Sequence, residues 1–276
     1  MIKRRKNIVV RFVENQTVQS AFRVAGPLLF GIFVFVLWQT KVLHILFHTD
    51  TFTLPLPSRI GTIILENTPK ILENVKATVI VAIVGLAVGS LIGYFIAVLA
   101  TMFPLYGSIG LSIVAAFNAI PIVALAPVMT NWTKDVSNDP SIRSMAAKIL
   151  VVVIVSIATM SINAYRGLND LPEFSLDLMK SYAAKRRVVF FKLRLPNSVP
   201  YIFTALRVAV PASVISTIVS EYFAEYIIGV GRQIRENIII AQYATAWAYI
   251  TIACLIGIAF YCVLMVIEGI ILKKRR

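Results

Sequence analysis

The sequence predicts an all-α integral membrane protein with six transmembrane helices. Three observations predict it. The first is composition: of 276 residues, 58% are hydrophobic and 14% charged, against about 25% charged in ordinary soluble domains, and the mean hydropathy is +0.82. The second is a set of six apolar runs, at about 25–47, 77–103, 106–130, 146–165, 200–222 and 247–270, each near or above the ~20 residues that cross a bilayer. The third is the placement of Lys and Arg. The net charge of +14 sits between the runs and not on one basic face, which argues for membrane topology and against nucleic acid.

Residues 1–23 form a basic leading segment, with Lys3, Arg4, Arg5, Lys6, Arg11 and Arg23. They and the first run share the outline of a secretory signal. The basic part is long and no small-residue cleavage site follows the run, so an uncleaved first helix is expected. Lys41 can extend its ammonium outward from that helix, and His44 reads as a polar helix-end residue. In the second run, Gly85, Gly89 and Gly93 recur every four residues, with Ala97 next. That spacing puts them on one face where another backbone can come close, either within the subunit or across a dimer. Pro127 and Pro211 fall inside the third and fifth runs and predict kinks covered by neighbouring helices. Cys254 and Cys262 lie eight residues apart in the last run, about 12 Å along a helix, too far for a disulfide.

Six spans place both ends on one side. If that side is the cytoplasm, the inside segments include Arg166, Lys180, Lys185, Arg186, Arg187, Lys192 and Arg194 between the fourth and fifth runs, and Lys273, Lys274, Arg275 and Arg276 at the tail. The outside segments carry Arg59, Lys70, Lys76, Lys134, Arg143, Arg232 and Arg235, diluted by acids. The bias predicts cytoplasmic termini. The organisation is then a basic segment 1–23, one membrane domain 24–272 with a cytoplasmic loop at 166–199, and a basic tail 273–276.

Catalytic material is scarce. There is no GxxxxGK[ST] phosphate loop, because "GVGRQIREN" at 229–237 lacks both the spacing and the Lys-Ser/Thr ending. HExxH, CxxC and GxSxG are absent too, and with two histidines and no clustered acids there is little for a metal or nucleophile mechanism. The chain is expected to be no enzyme and to hold no metal. An ion-coupled secondary transporter would carry several buried acids and related halves; only Glu221 approaches this, and no internal repeat is visible.

The most informative stretch is "SYAAKRRVVFFKLRLPNSVP", 181–200. Upstream, Asp170-Leu171-Pro172-Glu173 reads as a turn leading into a helix. Apolar residues then recur at Phe174, Leu178, Tyr182, Val188 and Phe191 in a mostly helical pattern, Leu195-Pro196 is expected to end the helix, and Pro200 to begin the next span. One or two short amphipathic helices should lie at the membrane face. Spacing leaves two partners open, anionic lipid or a groove on another protein.

The segment resembles the cytoplasmic loop of permease subunits of binding-protein-dependent ABC importers, written Glu-Ala-Ala, three residues, Gly, nine residues, Ile, any residue, Leu-Pro. Leu195-Pro196 matches the Leu-Pro, Leu193 takes the Ile position and Ala183 the Gly position. Asp177, Leu178 and Met179 take the Glu-Ala-Ala positions. "LPLPS" at 54–58, "NAIPIVALAPVMTNW" at 118–132, "NAYRGLNDLP" at 163–172 and the stretch 192–223 resemble the nitrate, sulfonate and taurine group of that family. The "SYAAKRR" to "KLRLP" wording resembles its riboflavin and pyrimidine-precursor branch.

The resemblance implies the type I importer permease fold with a coupling helix, formed here by Asp177, Leu178, Met179, Tyr182, Ala183, Ala184, Lys185, Arg186, Leu193, Leu195 and Pro196. It implies as partners two cytoplasmic ATPase subunits, a second permease copy, an extracytoplasmic solute-binding protein and membrane lipid. ATP and Mg would be bound by the ATPase, with no cofactor on this chain. Lys185, Arg186 and Arg187 then either pair with acids on the ATPase or serve only the positive-inside bias. Ala183 is expected inside a helix, where alanine in place of glycine matters little. Candidate translocation-path residues are Asn118, Pro121, Ser213, Ser216, Thr217, Ser220 and Glu221, since a small polar solute needs such groups and intramembrane ionisable residues are functional candidates. Glu221 equally suits bracing a helix end, and Asn118 bonding a neighbouring helix. Glu268 reads as a helix-end acid, and Tyr222, Phe223 and Trp247 as interfacial aromatics.

Overall fold

The structure, a computed structural model, describes residues 16–224 and 228–273. Lys3, Arg4, Arg5, Lys6, Arg11, Lys274, Arg275 and Arg276 lie outside the described residues, as does the side chain of Arg23. The chain divides into two compact units, 1–66 and 67–276.

The first unit holds α1 (Gln16–Gln39), α2 (Val42–Leu46) and α3 (Pro57–Glu66). The run expected to continue to 47 stops at Gln39, and its apolar helix, Ala25–Gln39, is shorter than the long spans described below. Lys41 adopts a left-handed φ of 67°, which a helix cannot continue through. His44 is buried and its Nε2 lies 2.6 Å from the Leu54 carbonyl. Gln39 exchanges two hydrogen bonds with Ser58, one from its Nε2 to Ser58 Oγ and one from the Ser58 amide to its Oε1, both 3.1 Å. In the connecting loop the Thr53 amide donates to Asp50 (2.8 Å) and holds that carboxyl below its ordinary pKa.

The second unit is all helical among the described residues. It comprises α4 (Thr68–Met102), α5 (Pro104–Ala116), a 3₁₀ turn (Phe117–Ala119), α6 (Ile122–Trp132), α7 (Pro140–Asn169), α8 (Ser175–Ser181), α9 (Arg186–Val189), a π-turn (Phe190–Arg194), α10 (Leu195–Phe223), α11 (Val230–Ile239) and α12 (Tyr243–Lys273). Four stretches are long and apolar enough to cross a membrane: 68–102, 140–169, 186–223 and 243–273. The pair Ile109–Ala119 and Ile122–Trp132 makes a fifth if counted as one span bent by 101°.

The glycine stripe of α4 lies against α7. A Cβ at Gly85 would sit 2.5 Å from Val152 Cβ, at Gly89 2.6 Å from both Ser156 Cβ and the Val153 carbonyl, and at Gly93 2.7 Å from the Ile157 carbonyl. Only a missing side chain permits that approach, which gains dispersion along the contact. Below the stripe, Ala97, Met160, Ala164, Leu168 and Ala205 form a buried cluster that joins α4, α7 and α10. Asp139 caps α7 by accepting from the Ser141 amide at 2.8 Å, with Pro140 at the first helical position.

Of the one or two short helices expected between Phe174 and Phe191 the structure has two, α8 and α9, separated at 182–185. One expectation about this loop is corrected. Leu195-Pro196 does not end a helix: the chain is continuous from Arg186 to Phe223. Pro196 has no N–H to offer and its ring crowds the carbonyl four residues back. The π-turn at Phe190–Arg194 widens the helix there, so the proline is taken into it without a break.

Candidate functional site

The 171–194 loop presents apolar side chains to its surroundings. Phe174 is 79% exposed and Tyr182 77%, with Leu178, Val188 and Phe191 also exposed. Lys185, Arg186, Arg187 and Lys192 are exposed around them. Asp177 and Lys180 form a surface ion pair at 2.9 Å on α8, a contact of little energetic weight. The residues at the family's Glu-Ala-Ala positions, Asp177, Leu178 and Met179, all lie on α8.

Ala183 is not inside a helix, which corrects the expectation for it. Its φ is +49°. The Ala184 amide donates to the Met179 carbonyl (2.9 Å) and the Ala183 amide to the Lys180 carbonyl (2.8 Å). This pair of bonds is the Schellman ending of a helix, whose left-handed residue is ordinarily glycine. Replacing Ala183 with Gly is therefore expected to stabilise the turn by about 1 kcal/mol. Slower amide exchange across 178–186 would be the sign; unchanged exchange would show the turn to be unstrained.

The base of the loop is tied down. Arg194 Nη1 donates to the Leu168 carbonyl (2.8 Å) and to Asn169 Oδ1 (2.7 Å). Asn197 Nδ2 donates to the Gly167 and Asp170 carbonyls, both 2.8 Å. Tyr201 donates its hydroxyl to Asp170 Oδ2 at 2.6 Å. The bonds to the Gly167 and Leu168 carbonyls satisfy acceptors that the last turn of α7 leaves unpaired. Leu193 and Leu195 are half-buried within this junction, and Pro196, beside them, is exposed.

At the other end of α10, Glu221 is completely buried. Thr78 Oγ1 approaches both carboxylate oxygens, at 2.8 and 3.0 Å, and the Gly231 amide donates to Oε2 at 2.9 Å. Beside it the Val230 amide donates to Thr78 Oγ1 (3.0 Å) and the Gly229 amide to Asn74 Oδ1 (2.9 Å). Glu221 thus meets the amino end of α11, where a negative charge is favoured. Lys148, also buried, acts on it electrostatically and donates to the Ile228 carbonyl at 3.4 Å. Gly229 has φ +130°, and a Cβ there would run into the Glu221 carboxylate, while one on Gly231 would run into the Ile218 carbonyl.

Ser213, Ser216, Thr217 and Ser220 are buried in the same part of α10. Their hydroxyls donate back to carbonyls of their own helix, at 2.7–2.8 Å. Asn118 and Pro121 are placed differently: both are exposed, at the bend between α5 and α6. Ser213, Ser216, Thr217, Ser220 and Glu221 are all buried on α10, whereas Asn118 and Pro121 are exposed. Among the described residues no three His, Cys, Asp or Glu side chains are grouped as metal ligands.

Glu268 corrects the sequence reading. It is not a free helix-end acid but is buried and held bidentately by Arg207, with Nε to Oε2 at 2.8 Å and Nη2 to Oε1 at 2.5 Å. The pair joins α10 to α12. Sequence reasoning passed over Arg207 and Lys148, although each is a cation inside an apolar run, the signal that marks an intramembrane partner. It also passed over Asn74 and Thr78, whose spacing of four puts both on one face of α4.

The comparisons agree with this architecture. The chain is 24% identical over 259 residues to the formylaminopyrimidine transport permease protein ThiX of Halalkalibacterium halodurans, covering 94% of this chain and 99% of that protein. It is 28% identical over 150 residues to the bicarbonate transport system permease protein CmpB of Synechocystis, covering 54% of this chain and 48% of that protein. Over 163 residues it is 22% identical to the riboflavin transport system permease protein RibX of Chloroflexus aurantiacus, covering 58% of this chain and 57% of that protein. Among solved structures, an amino acid ABC transporter with histidines aligns at TM-score 0.60 and 17% identity, over 74% of this chain and 95% of that one. The inward-facing MetNI methionine ABC transporter aligns at 0.52 and 16%, over 72% and 94%. At these identities the likeness is one of fold, and it is the fold of ABC importer permeases. Because the family's sequence profile matches residues 89–276, the chain belongs to the binding-protein-dependent transport system inner membrane components, permease subunits that cross the membrane several times.

Proposed function

We propose that this subunit forms half of the translocation path of an ATP-driven importer for a small polar or anionic organic solute. The solute is delivered by an extracytoplasmic binding protein, and a second copy of the chain completes the path, since one copy cannot enclose a two-sided route. Two cytoplasmic ATPase subunits bind ATP and Mg, and this chain holds no cofactor. Both termini and the 171–194 loop lie in the cytoplasm, with α1 and the bent pair completing six spans. ATP-driven closure of the ATPases moves the two loops and switches the path between its two sides by rigid-body motion of packed helices.

The observation that carries the proposal is the exposed apolar set of Phe174, Leu178 and Tyr182 ringed by Lys and Arg, on a chain of this family. A cytoplasmic loop with such a face, held off the membrane core by its charges, suits a groove on a partner. The path is best placed at Asn118 and Pro121. Backbone outside a regular helix is tolerated at membrane depth only where it is covered by protein or lines water, and this bend is exposed in the single chain. The hydroxyls of Ser213–Ser220 and the Glu221 carboxylate, by contrast, are committed inside it.

Co-purification tests the proposal. Wild type should carry an ATPase subunit at near-equal stoichiometry. Tyr182→Asp, which puts a charge into the docking face, should lose it by about tenfold or more while still folding in the membrane. If no ATPase accompanies wild type, or if Tyr182→Asp transports normally, the loop rests on lipid and the importer reading fails.

A further inference from the structure

We infer that Arg194, Asn197, Asp170 and Tyr201 form a clamp that makes the 171–194 loop and its two flanking long helices a single lever. A push on α8 by a partner then reaches the far end of α10 and is not absorbed at the loop's base. The inference rests on the reading of the loop as the element that meets the ATPase. It goes further by naming the residues that transmit the motion and by separating them from those that dock.

The loop leaves α7 at Asn169 and becomes helical again at Arg186, from which one continuous 38-residue stretch runs to Phe223, past Glu221. A flexible joint on either side would let the loop swing alone. Neither side has one. On the α7 side, Arg194 and Asn197 together donate four hydrogen bonds to residues 167–170, and Tyr201 adds a fifth from one turn further along. Gly167 allows the two helices to close at that point, because a Cβ there would stand 2.6 Å from Tyr201 Cβ. On the α10 side, the π-turn packs Phe190 against the cluster of Ala97, Met160, Ala164, Leu168 and Ala205. Asn169 extends the junction to α4 by donating to Thr101 Oγ1 at 3.0 Å. Two bends remain: at 170–174 the Ser175 amide and hydroxyl both donate to the Pro172 carbonyl, and at 182–185 the two bonds that end α8 close the turn.

The division of labour follows from exposure. Tyr182, Phe174 and Leu178 point outward and can dock. Both N–H bonds of the Asn197 side-chain amide go to the Gly167 and Asp170 carbonyls, and Arg194 Nη1 goes to the Leu168 carbonyl and Asn169 Oδ1. They are positioning residues. Packed elements that switch between discrete arrangements transmit displacement only if their junctions hold.

The experiment uses the full complex with its co-purifying ATPase, in a Cys254→Ser, Cys262→Ser background. A reporter Phe223→Cys at the far end of α10 is labelled with a maleimide, with and without ATP and vanadate. In the otherwise wild-type complex the labelling rate should change about tenfold on trapping. Arg194→Gln and Asn197→Ala should keep the ATPase bound and hydrolysing but leave the labelling rate nearly unchanged on trapping. Arg194→Lys should restore part of the response, and Tyr201→Phe, which removes one bond at an exposed site, should lose only a fraction of it. A full response in the Arg194→Gln, Asn197→Ala double variant overturns the clamp. So does loss of the ATPase from these variants, which would make them docking residues. A wild-type complex that carries no ATPase overturns the importer reading itself, and the clamp with it.

Discussion

Replacing Glu221 with alanine is expected to destabilise the folded subunit by about 3 kcal/mol or more, because removing one member of a buried charged network leaves the others uncompensated. Thr78, the Gly231 amide and Lys148 would all lose their anionic partner, and α11 would lose the Gly231 amide's bond to α10. The measurement is thermal unfolding of the detergent-solubilised protein. Glu221→Gln should fall between wild type and alanine, since the amide oxygen can still accept while the charge facing Lys148 is gone. If Glu221→Ala melts like wild type and only transport is lost, the carboxylate serves the solute and not the fold.

Gly89→Leu is expected to be as damaging, by overpacking. A Cβ at this position already stands 2.6 Å from Ser156 Cβ and from the Val153 carbonyl, and two helix backbones cannot yield as a flexible side chain would. The cost should be about 3 kcal/mol, at the upper end for inserted bulk in a packed core. It should be read as loss of monodisperse protein in detergent and a lowered melting temperature. Gly257→Leu on α12, where a Cβ meets nothing within 4 Å, is the control and should behave like wild type. A Gly89→Leu protein that melts normally but no longer pairs with a second copy would move the stripe's role to an interface between subunits.

These two sites show how unevenly function was legible. The Gly85–Gly89–Gly93 stripe is visible in the sequence because a four-residue repeat of one residue type maps onto one helix face. Its partner is not, since any of the other helices could have met it. Glu221 was visible as an acid in an apolar run, but its role depended on Thr78, 143 positions away, and on the glycines at 229 and 231. Those glycines looked like a failed phosphate loop; they are the gap that lets a helix end reach a carboxylate. Ala183 was misread for a related reason. Helical periodicity continues across 174–191, but periodicity carries no φ, and one left-handed residue ends α8.

The sequence by itself determined the class of protein, the approximate spans and the exposed basic-apolar loop, because hydropathy and charge act locally on every residue and sum along the chain. Only the tertiary structure decided the rest. It determined that Pro196 is absorbed by a π-turn, that Arg207 and Glu268 neutralise each other between α10 and α12, that Arg194 and Asn197 close the end of α7, and that the hydroxyl-rich face of α10 turns inward. The Arg207–Glu268, Arg194–Leu168 and Asn197–Gly167 contacts are pairings between groups far apart in sequence. A buried polar group must find a partner, but the requirement does not say which one, and that choice is made by the packing of whole helices.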